Sequence, residues 1–259
     1  MPRRGRYFAI LLALTSTTML QGCNKQSART EAVDNLTTAS TTPVSIEEIS
    51  ALARRWEADP NNLSKGVAYA SVLESAGQTE KQLSVFERMT RSNPNNEKLN
   101  SVYGRKLLAA GRSDDAIPVL ERADASGTKD WRVHSALGSA YDQKGLYQKA
   151  RQQYDKALAI APQNLGVLNN LGMSYALEGN LKQAEATLRQ ADSLPSSKSE
   201  PRIRQNLALV VGLQGRFEEA SKLAREDLPQ EQVQENMAYL QKMLSQPNTW
   251  QQISEGGKG

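Results

Sequence analysis

Five glycines recur along this chain at a nearly constant interval. Gly77, Gly111, Gly145 and Gly179 are each 34 residues apart, and one further step, longer by two residues, reaches Gly215. Apolar residues with three- and four-residue spacing lie on both sides of each glycine, which is the period of an amphipathic α-helix. A glycine between two such segments suits a left-handed helix C-cap. The sequence therefore predicts a repeated unit of two helices joined by a glycine turn.

Residues 131–164 show this unit most clearly. Leu137 and Tyr141 form the apolar stripe of a first helix, and Tyr154 and Leu158 form that of a second. Small residues allow the two helices to approach closely, namely Gly138, Ala150 and Ala157. A proline at 162 ends the second helix, because proline lacks the N–H that the helix needs. The pattern resembles the tetratricopeptide repeat (TPR), a helix–turn–helix of this length.

The TPR resemblance implies an all-α fold, a TPR solenoid of antiparallel helix pairs in a right-handed superhelix. Each repeat of a solenoid buries its apolar face against its neighbours, and an aromatic content of only 5% fits stacked Ala- and Leu-rich helices better than a sheet. The fifth repeat is degenerate, with a short second helix. The predicted segments are a capping helix at 45–62, five repeats at 63–96, 97–130, 131–164, 165–198 and 201–228, a second capping helix at 229–246, and a flexible tail at 247–259.

Residues 1–22 have the pattern of an export signal peptide. Three arginines precede a short apolar segment that starts at Phe8 and is too short to span a bilayer as a mature helix. Residues 20–23, Leu-Gln-Gly-Cys, resemble the lipobox of bacterial lipoproteins. The resemblance implies a diacylglyceryl thioether on Cys23 and an N-linked acyl chain such as palmitate. The alternative is an ordinary signal peptide followed by a coincidental cysteine.

The residue after the cysteine indicates where such a lipoprotein would be sorted. Asp at this position tends to hold lipoproteins in the inner membrane, and this chain has Asn24. The resemblance therefore implies an outer-membrane protein, lipid-anchored and facing the periplasm, since several acyl chains anchor a protein stably. Residues 23–44, the lipidated cysteine and a stretch rich in Ser, Thr, Ala and Asn, are predicted to be a flexible tether.

The charge balance gives no support to nucleic-acid binding. The whole chain has 32 basic and 28 acidic residues and a pI near 9.1. Removal of the signal peptide takes away three arginines and no acidic residue, so the mature chain is almost neutral. No basic run interleaves with aromatic residues, which is the pattern expected of a nucleic-acid interface. We therefore predict a protein partner and no nucleic-acid partner.

Catalytic and metal-binding motifs are absent from the sequence. With one histidine, His134, and one cysteine, the chain has neither His-Glu-x-x-His nor Cys-x-x-Cys, and it also lacks a nucleophile elbow and a phosphate-binding loop. His134 occupies a position where TPR proteins usually have a large core residue, so we interpret it as structural. Carboxylates such as Glu218 and Glu219 are predicted to lie singly on solvated faces. These observations predict a protein that is not an enzyme and binds no cofactor or metal.

TPR proteins build a concave groove mainly from positions 2, 5, 6, 9, 12 and 13 of each first helix. In repeats four and five this assigns a candidate peptide-binding groove, which comprises Asn169, Asn170, Met173, Arg202, Gln205, Asn206 and Leu209. An asparagine amide offers a donor and an acceptor to a peptide unit, and arginine pairs with a carboxylate. Earlier repeats are predicted to present a more mixed, hydrophilic surface, with Ser71, Glu74, Lys98, Arg105, Arg132 and Asp142. The alternative is that these polar residues are merely solvated or help to cap helices.

The last third of the chain carries a closer resemblance. Its segments are 168–180 (LNNLGMSYALEGN), 201–217 (PRIRQNLALVVGLQGRF) and 224–229 (AREDLP). Together with the lipobox, they resemble the TadD family, the TPR-containing lipoproteins of tight-adherence (Flp) pilus assembly. The resemblance implies a pilotin-like role in Tad secretion, in which the lipoprotein binds or localises the secretin pore. The alternative is a periplasmic TPR scaffold or chaperone of another envelope machine, such as outer-membrane β-barrel assembly.

Overall fold

The structure, a computed structural model, describes residues 44–245. This part of the chain contains twelve α-helices, one short 3-10 helix at Pro195–Ser199 and no β-strand. The predicted all-α architecture is therefore confirmed. The predicted signal peptide, the lipidation site Cys23, the tether up to residue 43 and the tail lie outside the described residues. The helices are α1 (Ile46–Glu57), α2 (Leu63–Ser75), α3 (Thr79–Ser92), α4 (Glu97–Ala109), α5 (Ser113–Ala125), α6 (Trp131–Gln143), α7 (Tyr147–Ile160), α8 (Leu165–Glu178), α9 (Leu181–Asp192), α10 (Pro201–Leu213), α11 (Phe217–Ala224) and α12 (Gln230–Ser245).

Helices α2 to α11 form five consecutive pairs, and each helix contacts the next along the chain. Each pair lies within one of the five repeats predicted from the glycine spacing. In the fifth pair the second helix, α11, has only 8 residues, in line with the degenerate sequence there. Helix α1 packs on the first pair and α12 on the last. None of the helices between residues 44 and 245 is both long and apolar enough to cross a bilayer.

Each pair turns at one of the five regularly spaced glycines. Gly145 has a φ of 71°, and the equivalent glycines also have positive φ. The N–H of Leu146 donates to the carbonyl of Tyr141 at 2.9 Å, and the corresponding bond closes the other four turns. This is the Schellman arrangement, which satisfies carbonyls at a helix end and favours glycine in the left-handed conformation. The predicted role of the glycines as helix C-caps is confirmed.

A second series with a 34-residue interval starts the first helices. The side chains of Asn62, Asn96 and Asn164 each accept a hydrogen bond from the backbone N–H three residues later, at 3.2, 3.0 and 3.1 Å. Asp130 accepts one from the N–H of Arg132 at 3.0 Å. Such N-caps stabilise a helix by about 1 kcal/mol each. They are a sequence signal that the glycine pattern alone does not reveal.

Glycines inside the first helices allow the two helices of a pair to pack closely. A Cβ atom added at Gly138 would lie 2.5 Å from Cε1 of Tyr154, and one at Gly104 would lie 2.4 Å from Cγ of Leu120. Gly172 has the same relation to Leu188, at 2.7 Å. In all three pairs the large residue is buried and follows the glycine at the same separation along the chain. Repeats two, three and four therefore share the same contact between a glycine of the first helix and a large residue of the second.

The core continues along the stack of helices. One cluster of buried residues extends from Trp56 in α1 to Leu171 in α8, and a second extends from Ala176 in α8 to Leu240 in α12. Tyr175 packs against both clusters. Because α1 and α12 each contribute buried apolar residues, they cover the apolar faces of the first and last pairs, as terminal repeats of a solenoid must.

We expect Gly138→Ala to destabilise the protein. The added Cβ would displace the buried ring of Tyr154, and overpacking of this kind costs about 1–3 kcal/mol, more than the gain of about 1 kcal/mol from better helix propensity. Gly166→Ala is the matched control, since its Cβ would meet only Oδ1 of Asn164, at 3.4 Å. Thermal unfolding followed by circular dichroism should show a lower melting temperature for Gly138→Ala and an equal or higher one for Gly166→Ala. An unchanged melting temperature in Gly138→Ala would contradict the close-packing argument.

Candidate peptide-binding groove

The seven predicted groove residues lie on two neighbouring helices that contact each other, α8 and α10. Helix α8 carries Asn169, Asn170 and Met173, and α10 carries Arg202, Gln205, Asn206 and Leu209. Within each helix these residues are mostly three or four positions apart, which places them on one side. Six of the seven retain some exposure, and Asn206 is buried. The structure thus brings the predicted residues together on adjacent first helices, while their role in peptide binding stays a prediction.

A hydrogen bond between two of the asparagines joins α8 to α10. Nδ2 of Asn206 donates to Oδ1 of Asn169 at 2.7 Å. Asn206 is only 8% exposed, whereas Asn169 is half-buried. Asn206 therefore holds the Asn169 amide in place, and Asn169 is the more accessible of the two. With its oxygen accepting from Asn206, Asn169 still has its Nδ2 donors for a peptide carbonyl.

The third asparagine, Asn170, connects repeat four to repeat three. Its Nδ2 lies 3.4 Å from Oγ of Ser139, and the same Oγ lies 3.2 Å from the hydroxyl of Tyr154. A separation of 3.4 Å is long for a hydrogen bond, so a peptide carbonyl can replace Ser139 as the acceptor at low cost. Asn170 and Asn206 both occupy position 6 of their repeats, but they differ. The Asn206 side chain is buried and bonded to Asn169, whereas that of Asn170 is half-buried and can bond to a ligand.

Met173 and Leu209 supply the apolar part of the groove. Both are half-buried and pack against the core cluster that contains Leu207. A flexible methionine beside a leucine adapts readily to an apolar side chain of a ligand. Arg202, at the edge, is 79% exposed, with its guanidinium 3.4 Å from a carboxylate oxygen of Glu200. An exposed pair of this kind contributes little, so Arg202 remains available to a ligand carboxylate.

A network of charged residues fixes repeat four against repeat five. Glu185 in α9 accepts hydrogen bonds from Arg189 at 2.9 Å, Gln214 at 2.8 Å and Arg216 at 2.7 Å. Burial opposes ionisation of Glu185, but these three hydrogen bonds prevail and lower its pKa to about 2. Glu219 also pairs with both arginines. The prediction that such carboxylates lie singly on solvated faces is therefore wrong for Glu219, because its neighbours belong to two different repeats.

A buried carboxylate lies between repeats three and four. Asp142 is 7% exposed and accepts hydrogen bonds from the hydroxyl of Tyr154 at 2.9 Å and from Oγ of Ser174 at 2.6 Å. Burial raises its pKa to about 6, against the opposing effect of these two hydrogen bonds and of Arg151. The sequence-based placement of Asp142 on a hydrophilic surface is wrong, because donors from the second helix and from the next repeat draw the carboxylate inside.

The histidine has the structural position predicted for it. His134 is buried, and its Nδ1 lies 3.0 Å from Oε1 of Gln153 and 3.5 Å from Oδ1 of Asp124. Within residues 44–245, no group of three or more His, Cys, Asp and Glu side chains is arranged to hold a metal ion. His134 therefore belongs to the packing between α6 and α7 and to the polar contacts at its edge.

Two family models of the tetratricopeptide repeat match the chain, one at residues 104–164 and one at 143–194. Both matches span helix pairs with the glycine turns and small-against-large contacts described above. This part of the chain consists of tetratricopeptide repeats, and the fold is that of a TPR solenoid. No curated protein is a significant match to its sequence.

Solved TPR structures share the fold at low sequence identity. PilW, described as a widely conserved type IV pilus biogenesis factor, is 19% identical, with a TM-score of 0.59 over 76% of this chain and 89% of that one. YrrB, described as a TPR protein with an unusual peptide-binding site, is 15% identical, with a TM-score of 0.57 over 75% and 99%. MamA from Desulfovibrio magneticus RS-1, from its residue 41 to the end, is 23% identical, with a TM-score of 0.54 over 58% and 85%. At these identities the likeness concerns the fold alone.

The TPR fold is typically a protein-interaction scaffold without catalytic activity, and the matched family models indicate no enzyme family. TPR repeats accordingly indicate protein partners. In this chain the surface of α8 and α10 combines oriented amides with half-buried apolar side chains. Such a surface can bond to the main chain of an extended segment and accommodate one of its apolar side chains.

The raised pKa of Asp142 predicts how the stability of the protein changes with pH. Its pKa is raised from 3.8 to about 6 in the folded protein, so between about pH 4 and pH 6 the native state binds more protons than the unfolded state. The contribution of Asp142 to the free energy of unfolding therefore falls as the pH rises, by about 3 kcal/mol in total. Asp142→Asn resembles the neutral acid, and it should gain stability over the natural protein as the pH increases.

Urea unfolding at a series of pH values from 4 to 7 measures this difference. We expect the advantage of Asp142→Asn over the natural protein to be smallest at pH 4 and to level off above pH 6. Asp155→Asn, which changes an exposed carboxylate in α7, is the matched control and should follow the natural profile. Parallel profiles for Asp142→Asn and the natural protein would rule out the raised pKa.

Proposed function

We propose that this protein is a non-enzymatic TPR lipoprotein of the outer membrane that assists assembly of a Flp-type (Tad) pilus. The observation that carries the proposal is the groove of α8 and α10, in which Asn206 holds Asn169 at 2.7 Å beside half-buried apolar residues. We assign this binding function to pilus assembly because segments 168–180, 201–217 and 224–229 resemble the TadD family. The likeness to PilW, itself described as a pilus biogenesis factor, is compatible with that direction.

The bound segment is proposed to be an extended stretch of the secretin. Asn169 and Asn170 donate to main-chain carbonyls, which makes binding tolerant of sequence because every peptide unit has one. Met173 and Leu209 take an apolar side chain, and Gln205 adds a half-buried amide on the same side of α10. Recognition of this kind requires only that the secretin presents an extended segment with one apolar side chain in register with Met173 and Leu209.

The lipid anchor is proposed to localise the bound secretin subunit. Acyl chains on Cys23 would hold the protein at the periplasmic face of the outer membrane. The tether predicted for residues 24–44 would, as a flexible coil, have a typical end-to-end distance of about 25 Å. Repeats on such a tether reach a subunit near the membrane without being pressed against the bilayer. This is a pilotin-like activity, and it requires no catalytic step.

Site-specific photo-cross-linking in the native host tests the groove and its partner together. With p-benzoylphenylalanine in place of Met173, we expect a cross-linked product with the secretin, identified by mass spectrometry of detergent-solubilised envelopes. The same substitution at Ile160, which is 41% exposed and lies at the end of a second helix, is the matched control and should give no such product. Addition of Asn170→Ala should reduce the Met173 product several-fold, because an amide that donates to the main chain of the bound segment is lost and only a long 3.4 Å contact within the protein is given up.

The identity of the product separates the alternatives. A subunit of the β-barrel assembly machine cross-linked from Met173 would favour a scaffold or chaperone role in that machine. Equal products from positions 173 and 160 would contradict the groove itself. Loss of the product in Asn170→Ala must occur at an unchanged melting temperature for the groove interpretation to hold.

The anchor is tested by Cys23→Ala in the full chain. We expect the variant to leave the outer-membrane fraction and appear among soluble periplasmic proteins, since no acyl chain can be attached. The circular dichroism spectrum and melting temperature should be unchanged, because residues 46–245 form the helices without Cys23. Metabolic labelling with a palmitate analogue should mark the natural protein and not the variant. A variant that stays in the outer-membrane fraction would rule out lipid anchoring at this cysteine.

A further inference from the structure

Arg105 in α4 is half-buried and has no acidic partner among residues 44–245. Its Nε donates to the carbonyl of Ser101 at 3.3 Å. Within residues 44–245 no carboxylate oxygen comes within 4.0 Å of its guanidinium nitrogens. Burial lowers the pKa of Arg105, as expected of a cation that is partly desolvated without an ion pair. Buried charges are normally paired, so this guanidinium calls for an explanation.

The nearest carboxylate, Asp130, is committed to other groups. It caps α6 by accepting the N–H of Arg132 at 3.0 Å, and it lies 3.5 Å from the Arg132 guanidinium. Its other oxygen accepts a hydrogen bond from Oγ of Ser101 at 3.4 Å. Asp130 still favours the charged form of Arg105 from a distance, and Arg132 opposes it. The guanidinium groups of Arg105 and Arg132 are therefore both attracted by the single carboxylate of Asp130.

Two more cations lie on the same side of the first helices. Lys98 is seven residues before Arg105 on α4, which places both on one face, and Lys98 is exposed. Arg132 is also exposed and stacks on the ring of Trp131, with its Cζ 5.1 Å from the ring centroid. These three residues occupy repeat positions 9 and 2, the positions that provide Arg202, Met173 and Leu209 in the groove of repeats four and five. The face of repeats two and three therefore has three cationic side chains and one nearby carboxylate, that of Asp130.

We propose that this face of repeats two and three binds a carboxylate of an extended segment of the protein partner, with Arg105 as its main ligand. The two terminal nitrogens of a guanidinium match the two oxygens of a carboxylate, and in Arg105 only Nε is used internally. Lys98 and Arg132 lie at the rim, where they attract the acidic group. The inference rests on the proposed groove, which it extends from repeats four and five to repeats two and three.

The carboxylate belongs either to an Asp or Glu side chain or to a chain terminus, and three fluorescein-labelled decapeptides distinguish these. One carries two central Asp residues and a C-terminal amide, the second replaces both Asp by Asn, and the third is the Asn peptide with a free C-terminal carboxylate. Fluorescence anisotropy with the purified full chain in detergent measures their affinities. We expect the Asp peptide, or the peptide with a free terminus, to bind about tenfold more tightly than the amidated Asn peptide.

Variants of Arg105 assign the preference to this residue. Arg105→Gln should abolish the roughly tenfold preference, and Arg105→Lys should restore only part of it, since a lysine lacks the planar fork. Arg91→Gln, at an exposed arginine paired with Glu87 in α3, is the matched control and should keep the full preference. The melting temperature of Arg105→Gln should not fall, because the change removes an unpaired and partly buried charge.

Equal affinities for all three peptides, absence of binding, or an unchanged preference in Arg105→Gln would overturn the proposal. These results are distinguishable from failure of the proposed function. Cross-linking of the secretin from position 173 reports on the groove of repeats four and five and does not depend on Arg105. A groove that cross-links normally with no acidic preference would leave the proposed function standing and remove the carboxylate site.

Discussion

The close contact between a glycine of the first helix and a large residue of the second is the constraint on which this structure depends. At Gly138 the missing Cβ leaves room for the ring of Tyr154, which fills the gap and is buried. The same ring carries a hydroxyl to Asp142 and to Ser139. Tyr154 therefore takes part in both the helix packing and the hydrogen bonds of repeat three. A change in the separation of the two helices would disturb both.

Polar contacts then transmit this order from one first helix to the next. Asp142 accepts from Ser174, and Asn206 donates to Asn169. Each of these bonds joins adjacent repeats along the surface proposed to bind a partner. A groove held in this way loses little conformational freedom when a ligand binds, which favours affinity. Its rigidity thus comes from contacts between repeats and not from any single helix.

Periodicity in the sequence predicts most of the fold and only part of the site. The glycine spacing yields the five helix pairs and the turns, and the family position of His134 yields its burial. The capping series that includes Asn62 is equally readable from the sequence, yet it becomes recognisable only beside the helix boundaries. Burial of Asp142 was not predictable, because its donor Ser174 lies on the next repeat. A repeat pattern assigns a residue to a helix face, but the neighbours across a repeat boundary decide its environment.

In the proposed complex the two halves of the first-helix surface recognise different groups, and this difference would set the register of the bound segment. Amides such as Asn169 bond to any peptide unit, so by themselves they allow a segment to slide by one residue or to bind in either direction. Arg105, which has no acidic partner among residues 44–245, would bind a carboxylate at one place only. If the carboxylate is anchored at repeats two and three, the part of the segment that reaches Met173 and Leu209 is set by chain length. Specificity in this surface then arises from one charged contact combined with sequence-tolerant ones, because neither kind alone determines both position and direction.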